Sequence, residues 1–229
     1  MQITYHSHSC LRLVLNDGTT LLIDPFISGN ELSDLTPETV TADYVLITHG
    51  HGDHVGDLLP IAQKNAATVI GSAELASYAE HHGLKAHGMN IGGAFEFPFG
   101  TVKMVFAQHS SGLTQADGTS LYLGEPAGFV IQADGKTIYH AGDTAYFSDL
   151  KLIAEDFKVD VAFLPIGDNF TMGPNDAVKA AQVVEAEQTV PIHFNTFPVI
   201  KQDPQKFVAA LAEKNLNGKV MAVGETMTV

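Results

Sequence analysis

Cysteine is nearly absent. Cys10 is the only one in 229 residues, which excludes an intrachain disulfide framework and a thiol-based structural zinc module. Arginine is equally scarce, with Arg12 standing alone, and 12 Lys plus Arg face 26 Asp plus Glu for a formal charge of −14. No basic stripe is available to track a phosphate backbone, and the charge counts against a large nucleic acid as partner or substrate. No apolar stretch reaches membrane-spanning length, and the opening MQITYHSH lacks the basic and apolar regions of a secretory signal, so the expected location is the cytoplasm. There is no serine in a nucleophile elbow and no glycine-rich nucleotide loop after the first strand. What is present is a chain 45% hydrophobic with 21 Gly and 10 Pro. That composition suits a loop-rich globular enzyme, and the length suits one domain over residues 1–229.

Against these absences, histidine and aspartate are concentrated. ITHGHGDHVGD at 47–57 packs His49, His51, Asp53 and His54 into six positions, directly after the apolar run Tyr44–Ile47. One isolated histidine is more often a core or surface residue than a ligand. Four ionisable groups at the end of a buried strand are different, because without a cation their desolvation goes uncompensated. His109, Asp143 and His193 each follow a further apolar segment. The seven residues read as a two-metal hydrolytic centre. His49, His51 and His109 are expected to hold one divalent cation, Asp53, His54 and His193 the other, with Asp143 bridging. A hydroxide between the cations is the expected nucleophile, acting on a small ester, lactone or phosphodiester, with Asp53 also orienting it. Ligand softness orders the cations as Zn2+, then Mn2+, then Fe2+.

The pattern elsewhere is strand-rich, then alternating. The first 26 residues give two or three strands around the Asn16-Asp17-Gly18 turn, and Asp134-Gly135 marks a hairpin. Helices are expected over 57–66, 72–83 (N-capped by Ser72 and stopped by Gly83), around 146–156, over 174–187 and over 204–215, with a final strand near KVMAVG at 219–224. MNIGG at 89–93 reads as a turn. Strands and hairpins followed by alternating helices argue for two sheets covered by outer helices, an α/β architecture.

The stretches YHSHSC, LLIDPF, THGHGDHVGD, AQHSSG, YHAGDT, LPIGDNFTMGP and PIHFNTFP together resemble the metallo-β-lactamase-fold hydrolases over essentially the whole chain. More narrowly, the chain is similar to a small metal-dependent hydrolase group related to the ascorbate-6-phosphate lactonases. The resemblance implies a four-layer αββα sandwich with the metals at one edge, and it assigns the dinuclear ligands to the same seven residues. Asp143 stands where the zinc β-lactamases with a histidine-rich first site use cysteine, which disfavours lactam hydrolysis. His54 is retained where single-metal iron dioxygenases drop it. The same resemblance places His8 at the pocket and Asn169, Thr171 and Met172 beside the metals, with His8 and Asn169 as catalytic candidates.

Asp24, ending the strand LLID, is a candidate to orient a ligating imidazole from behind. Asp168 is a candidate for ligand orientation or helix capping, Asn175 for local backbone capping, Asn195 and Thr196 for substrate contact or loop structure, and Glu125 with Pro126 for the pocket. His81 and His82 read as exposed helix-end residues, His140 as packing or support, and Cys10 as a small buried hydrophobe. Two other readings stay open: a non-catalytic metal-binding regulatory protein, and an iron-dependent oxygen-using enzyme. Homo-oligomerisation stays open too, since amphipathic faces do not separate an interface from a sheet-covering face.

Overall fold

The computed structural model describes residues 1–229. The chain begins with β1 (Gln2–Tyr5), β2 (Leu11–Val14), β3 (Thr20–Ile23), β4 (Tyr44–Leu46), β5 (Thr68–Ser72) and β6 (Lys85–Met89). It continues with β7 (Ala94–Phe97), β8 (Gly100–Phe106), a small ribbon of β9 (Leu113–Thr114) and β10 (Ser120–Leu121), then β11 (Ala127–Ala133), β12 (Lys136–His140), β13 (Val161–Pro165), β14 (Gln188–Ile192) and β15 (Thr226–Thr228). One sheet has the order β15-β1-β2-β3-β4-β5-β6 and the other β14-β13-β12-β11-β8-β7.

Three apolar layers hold these sheets in place. Ile3, Leu13, Leu46, Val102, Phe129 and Phe163 belong to the layer between the sheets. Outside the first sheet, Val45, Val69, Leu58, Ile61 and Leu75 pack with α2 (Leu58–Asn65) and α3 (Ala73–His81), which follow the short α1 (Gly52–Val55). Outside the second sheet, Tyr139, Leu164, Ala177, Ala181 and Phe207 pack with α4 (Lys151–Asp156), α5 (Pro174–Val184) and α6 (Pro204–Ala212). Strands β3 and β13 are buried at every position, as expected of strands covered on both faces. The result is the αββα sandwich.

Strand direction positions the site. β1, β3 and β4 run parallel to one another in the first sheet, through antiparallel β2, and β8, β12, β13 and β14 do so in the second, through antiparallel β11. Their C-terminal ends therefore gather at one edge of each sheet, where α/β sheets present site residues. Two backbone bonds join the sheets there: Ala127 N donates to Thr48 O at 3.1 Å and His193 N to His8 O at 2.8 Å.

Local expectations hold in part. Asp134 and Gly135 take positive φ (55° and 72°) in the β11–β12 hairpin, and the Ser72 hydroxyl caps α3 by accepting from Leu75 N at 3.1 Å. The helix expected around 146–156 starts later, as a 3-10 turn over Ser148–Leu150 running into α4. The preceding residues belong to the Asp143 loop, where Ala145 N bonds Gln108 O. α5 ends at Val184 because Glu185 adopts φ 53°, and α6 ends at Ala212. Met89 closes β6, a strand absent from the sequence expectation, and the MNIGG turn is confined to its last residues. The last strand is not at 219–224. Lys219 N bonds Thr189 O beside the second sheet, the chain crosses to the first sheet, turns at Gly224 (φ 79°), and pairs Met227 with Ile3 of β1. A crossing between sheets has no ladder partner, so its alternating sequence forms no strand.

Candidate metal centre

The dense loop is built on β4. Thr48 ends that strand run, and α1 turns immediately after His51, with Val55 N and His54 N both bonded to His51 O. That one-turn helix directs Asp53 towards the cleft and His54 into the floor. Gly56 closes it at φ 43°, where a Cβ would collide with the Pro25 carbonyl, so this position needs glycine. The second sheet supplies His109 after β8, Asp143 after β12 and His193 after β14. The His109 and Asp143 loops are tied together, because Gln108 N donates to Thr144 Oγ1 at 3.0 Å.

The structure brings all seven predicted positions together. His54 Nε2 lies 3.2 Å from Asp143 Oδ2, His193 Nε2 3.0 Å and His109 Nε2 3.6 Å from the same oxygen. His49 Nε2 is 2.9 Å from His51 Nδ1. Candidate donor atoms form three groups: His49, His51 and His109; His8, Asp53, His54 and His193; and His49, His54 and Asp143, each group within 4.8 Å. The third shares a histidine with each of the others, so the arrangement is two adjacent clusters joined at Asp143.

Do these residues fit cations? His54 Nε2, Asp143 Oδ1 and both His193 ring nitrogens are buried without a hydrogen-bond partner. His54 Nε2 and His193 Nε2 approach Asp143 closely yet are not aligned to bond, as atoms aimed at a common point would be, whereas His193 Nδ1 lies towards Gly167. Ligands about 2.0–2.1 Å from a tetrahedral Zn2+ lie about 3.3 Å apart, within the span of separations seen around Asp143. The nitrogen and oxygen donor set suits zinc, manganese and iron alike. The fit is good.

Hydrogen bonds behind the cluster fix which nitrogens are free. Asp24 is fully buried and its carboxylate accepts from Thr48 N (2.8 Å), Thr48 Oγ1 (2.7 Å) and His54 Nδ1 (2.7 Å). The Thr48 hydroxyl proton is thus committed to Asp24, so its oxygen accepts from His49 Nδ1 at 3.0 Å. Both imidazoles turn an Nε2 forward, the arrangement typical of ligating histidines. The sequence singled out Asp24 but missed Thr48, whose only signal is its place between β4 and His49.

Electrostatics follow the same geometry. Burial opposes charge on His54, but Asp143 and Asp24 outweigh it and hold its pKa well above the ordinary value. Burial would raise Asp143, yet His193 and His54 hold it well below the usual carboxylate range. Burial pushes His49 well below the ordinary histidine value. A metal-free floor is thus a buried ion pair, and a cation binding there displaces the His54 proton.

His8 sits at the cluster, behind the residues that line the cleft. It is fully buried and does not line the cleft. Its Nε2 donates to Asp53 Oδ2 at 3.1 Å, so its Nδ1 accepts from Thr196 Oγ1 at 2.9 Å. Burial lowers its pKa to about 4. Both His8 nitrogens are thus engaged, one of them on Asp53. Asn169 is exposed and absent from the cleft lining, and its neighbour Phe170 takes that place. Asp168 accepts from Asn169 N and leaves the α5 N-terminus uncapped by a side chain. Asn195 accepts from Gln202 N within its own loop, and Glu125 accepts from Tyr122 on the surface. His140 accepts from Gly142 N through Nδ1 and donates from Nε2 to Ser9 O, supporting the Asp143 loop. Cys10 is buried and free. His8, Asp24 and His193 all adopt left-handed backbone, at φ 55°, 45° and 54°.

In front of the cluster lies a cleft of about 740 Å3, lined by the polar residues His51, Asp53, His109, Asp143, His193 and Ser110 and by the apolar residues Phe26, Phe170, Phe197 and Val199. The apolar lining went unread in the sequence, although its three phenylalanines sit inside DPF, DNF and TFP. No helix is long and apolar enough to cross a membrane.

The comparisons with known proteins agree with this geometry. The family described as the beta-lactamase superfamily domain matches residues 19–194. A UPF0173 metal-dependent hydrolase of Enterococcus faecalis is 56% identical over 229 residues, covering 100% of both chains. Another from Geobacillus thermodenitrificans is 58% identical over 211 residues, covering 92% of this chain and 93% of its own. A solved metallo hydrolase from the archaeon Ignicoccus hospitalis superposes with a TM-score of 0.90 at 35% identity, over 100% of this chain and 97% of that one. With two overlapping His/Asp clusters at the shared strand edge and likeness along its full length, the chain belongs to the beta-lactamase superfamily and, within it, to the UPF0173 metal-dependent hydrolases.

Proposed function

We propose that this protein hydrolyses a small ester, lactone or phosphodiester at a dinuclear centre held by His49, His51 and His109 on one side, Asp53, His54 and His193 on the other, and Asp143 between. The observation that carries this reading is the set of buried, unpartnered donor atoms converging around Asp143. Two divalent cations, with Zn2+ ahead of Mn2+ and Fe2+, would supply an activated water and polarise the scissile oxygen.

The chain's own groups do the rest. Asp53 lines the cleft with its side chain 26% exposed, where it can orient an attacking water. Although burial raises its pKa, the His8 hydrogen bond and the charge on His54 hold it below the usual carboxylate range. It therefore stays ionised, which suits a ligand and an orienting acceptor better than a general base. His8, braced by Thr196, fixes one Asp53 oxygen. Asp24 and Thr48 fix the rings of His54 and His49. The lactone choice draws on the resemblance to lactonases, and the lack of basic cleft residues supports a carbonyl substrate.

Multiple-turnover assays of protein reconstituted separately with zinc, manganese or iron, against small lactones and phosphodiesters, test the proposal. Oxygen uptake and the Asp53→Asn variant run alongside. Metal-dependent turnover that falls in Asp53→Asn supports it. Two bound metals with no turnover would favour a binding protein, and oxygen consumption would favour the iron enzyme.

A further inference from the structure

The cleft is chemically lopsided. Its lining contains no lysine or arginine, and Ser110, whose hydroxyl already lies 3.3 Å from His51 Nε2, is its one polar side chain outside the proposed ligands. The rest of the lining is apolar and starts at the cluster itself. The Phe26 and Phe197 rings are 6.1 Å apart and meet the His8 ring edge-on at 5.4 and 5.6 Å. Phe170 and Val199 carry the wall outward on the loops after β13 and β14, where they are 53% and 59% exposed. Single exposed apolar residues need no explanation. Two exposed and two half-buried apolar residues lining the same cleft as the polar cluster form a recognition surface.

Charge narrows what that surface accepts. The cations would engage the scissile group, even an anionic one. A second charged group elsewhere on the substrate, such as the phosphate of a sugar phosphate, would lie against phenyl rings with no cationic partner, in a chain of formal charge −14. Burying an unpaired charge is strongly unfavourable. We infer that the substrate carries an uncharged apolar group, an aromatic ring or short acyl chain, beside its scissile bond, and that Phe170, Phe197 and Val199 select it. This inference rests on the hydrolytic reading for the word substrate, but the selectivity of the wall can be measured without turnover.

Calorimetric titration of the zinc-reconstituted protein with acetate, phenylacetate and phosphoglycolate isolates it, since all three share a carboxylate. Phenylacetate is expected to bind about tenfold or more tighter than acetate. Phe170→Ala and Phe197→Ala should each erase much of that advantage and leave acetate unchanged. Phe170 is exposed enough that its variant folds. Equal affinity for acetate and phenylacetate, or a preference for phosphoglycolate over phenylacetate, would overturn the inference. Phenyl acetate and a sugar-phosphate lactone offered as substrates separate the two levels. Ring-selective binding without any turnover keeps the wall and sinks the hydrolytic reading, whereas turnover that ignores the ring does the reverse.

Discussion

The floor of the site and its rim are made in opposite ways. On the floor, Asp24, Thr48, His49, His54, Asp143 and His193 are all buried. They hang from the ends of covered strands, and Asp24 and Thr48 lock two of the imidazoles. On the rim, Phe170, Phe197 and Val199 sit on loops, partly or largely exposed. The difference teaches that donor placement is fixed by the same packing that holds the sandwich together, whereas substrate selection lies on segments that can change without disturbing it.

The sharpest way to break this contrast is at Asp143. Asp143→Asn keeps the shape but removes the central carboxylate, and it should lower kcat/KM by about a thousandfold. Metal analysis of the purified variant should show fewer than two ions per chain, and full occupancy would remove Asp143 from the centre. Asp24→Asn is the next largest. It leaves the cluster untouched but weakens the brace on His54, so metal affinity should fall about 10- to 100-fold in chelator competition, and an unchanged affinity would reduce Asp24 to a packing residue.

Proton counting sharpens the contrast further. Because the pKa of His54 is raised, the metal-free protein carries that proton at neutral pH and must lose it on loading, whereas His49, lowered by burial, has none to give. Calorimetry in buffers of different ionisation enthalpy should count at least one proton released per chain near pH 7, from His54, with ionisation of a cation-bound water adding to it. Affinity should weaken as pH falls, since the proton competes with the cation. Release of none would mean that His54 is neutral before loading. The smallest effect belongs to the rim: Phe170→Ala should move the melting temperature by no more than about 2 °C and leave metal content unchanged. A large loss of stability there would show that the rim is structural after all.

Apart from Thr48, the floor was legible in the sequence and the rim was not, for physical reasons. His49, His51, Asp53 and His54 stand out because four ionisable groups directly after a buried strand lose their hydration uncompensated unless a cation is bound, and His109, Asp143 and His193 because each follows an apolar run. The hairpin at Asp134-Gly135 and the cap at Ser72 are local chemistry and could be read locally. Thr48 was invisible because its role depends on Asp24 arriving from another strand. Phe26, Phe170 and Phe197 read as ordinary apolar residues, since sequence does not say which side of a loop faces a cleft. His8 was named through resemblance, but its burial and its hold on Asp53 needed the fold. The terminal strand was misplaced because pairing with β1 follows the sheet crossing, and alternation alone cannot reveal a crossing.

His8, Asp24 and His193 share a backbone conformation that ordinary side chains disfavour, at a cost on the order of 1–3 kcal/mol each. Glycine or asparagine would sit there more comfortably. Natural selection for stability alone would therefore erode these three positions first, and each step towards glycine or asparagine would relax the backbone while disabling the chemistry. A descendant that had lost its reaction would keep the sandwich intact and could melt at a higher temperature than its active ancestor.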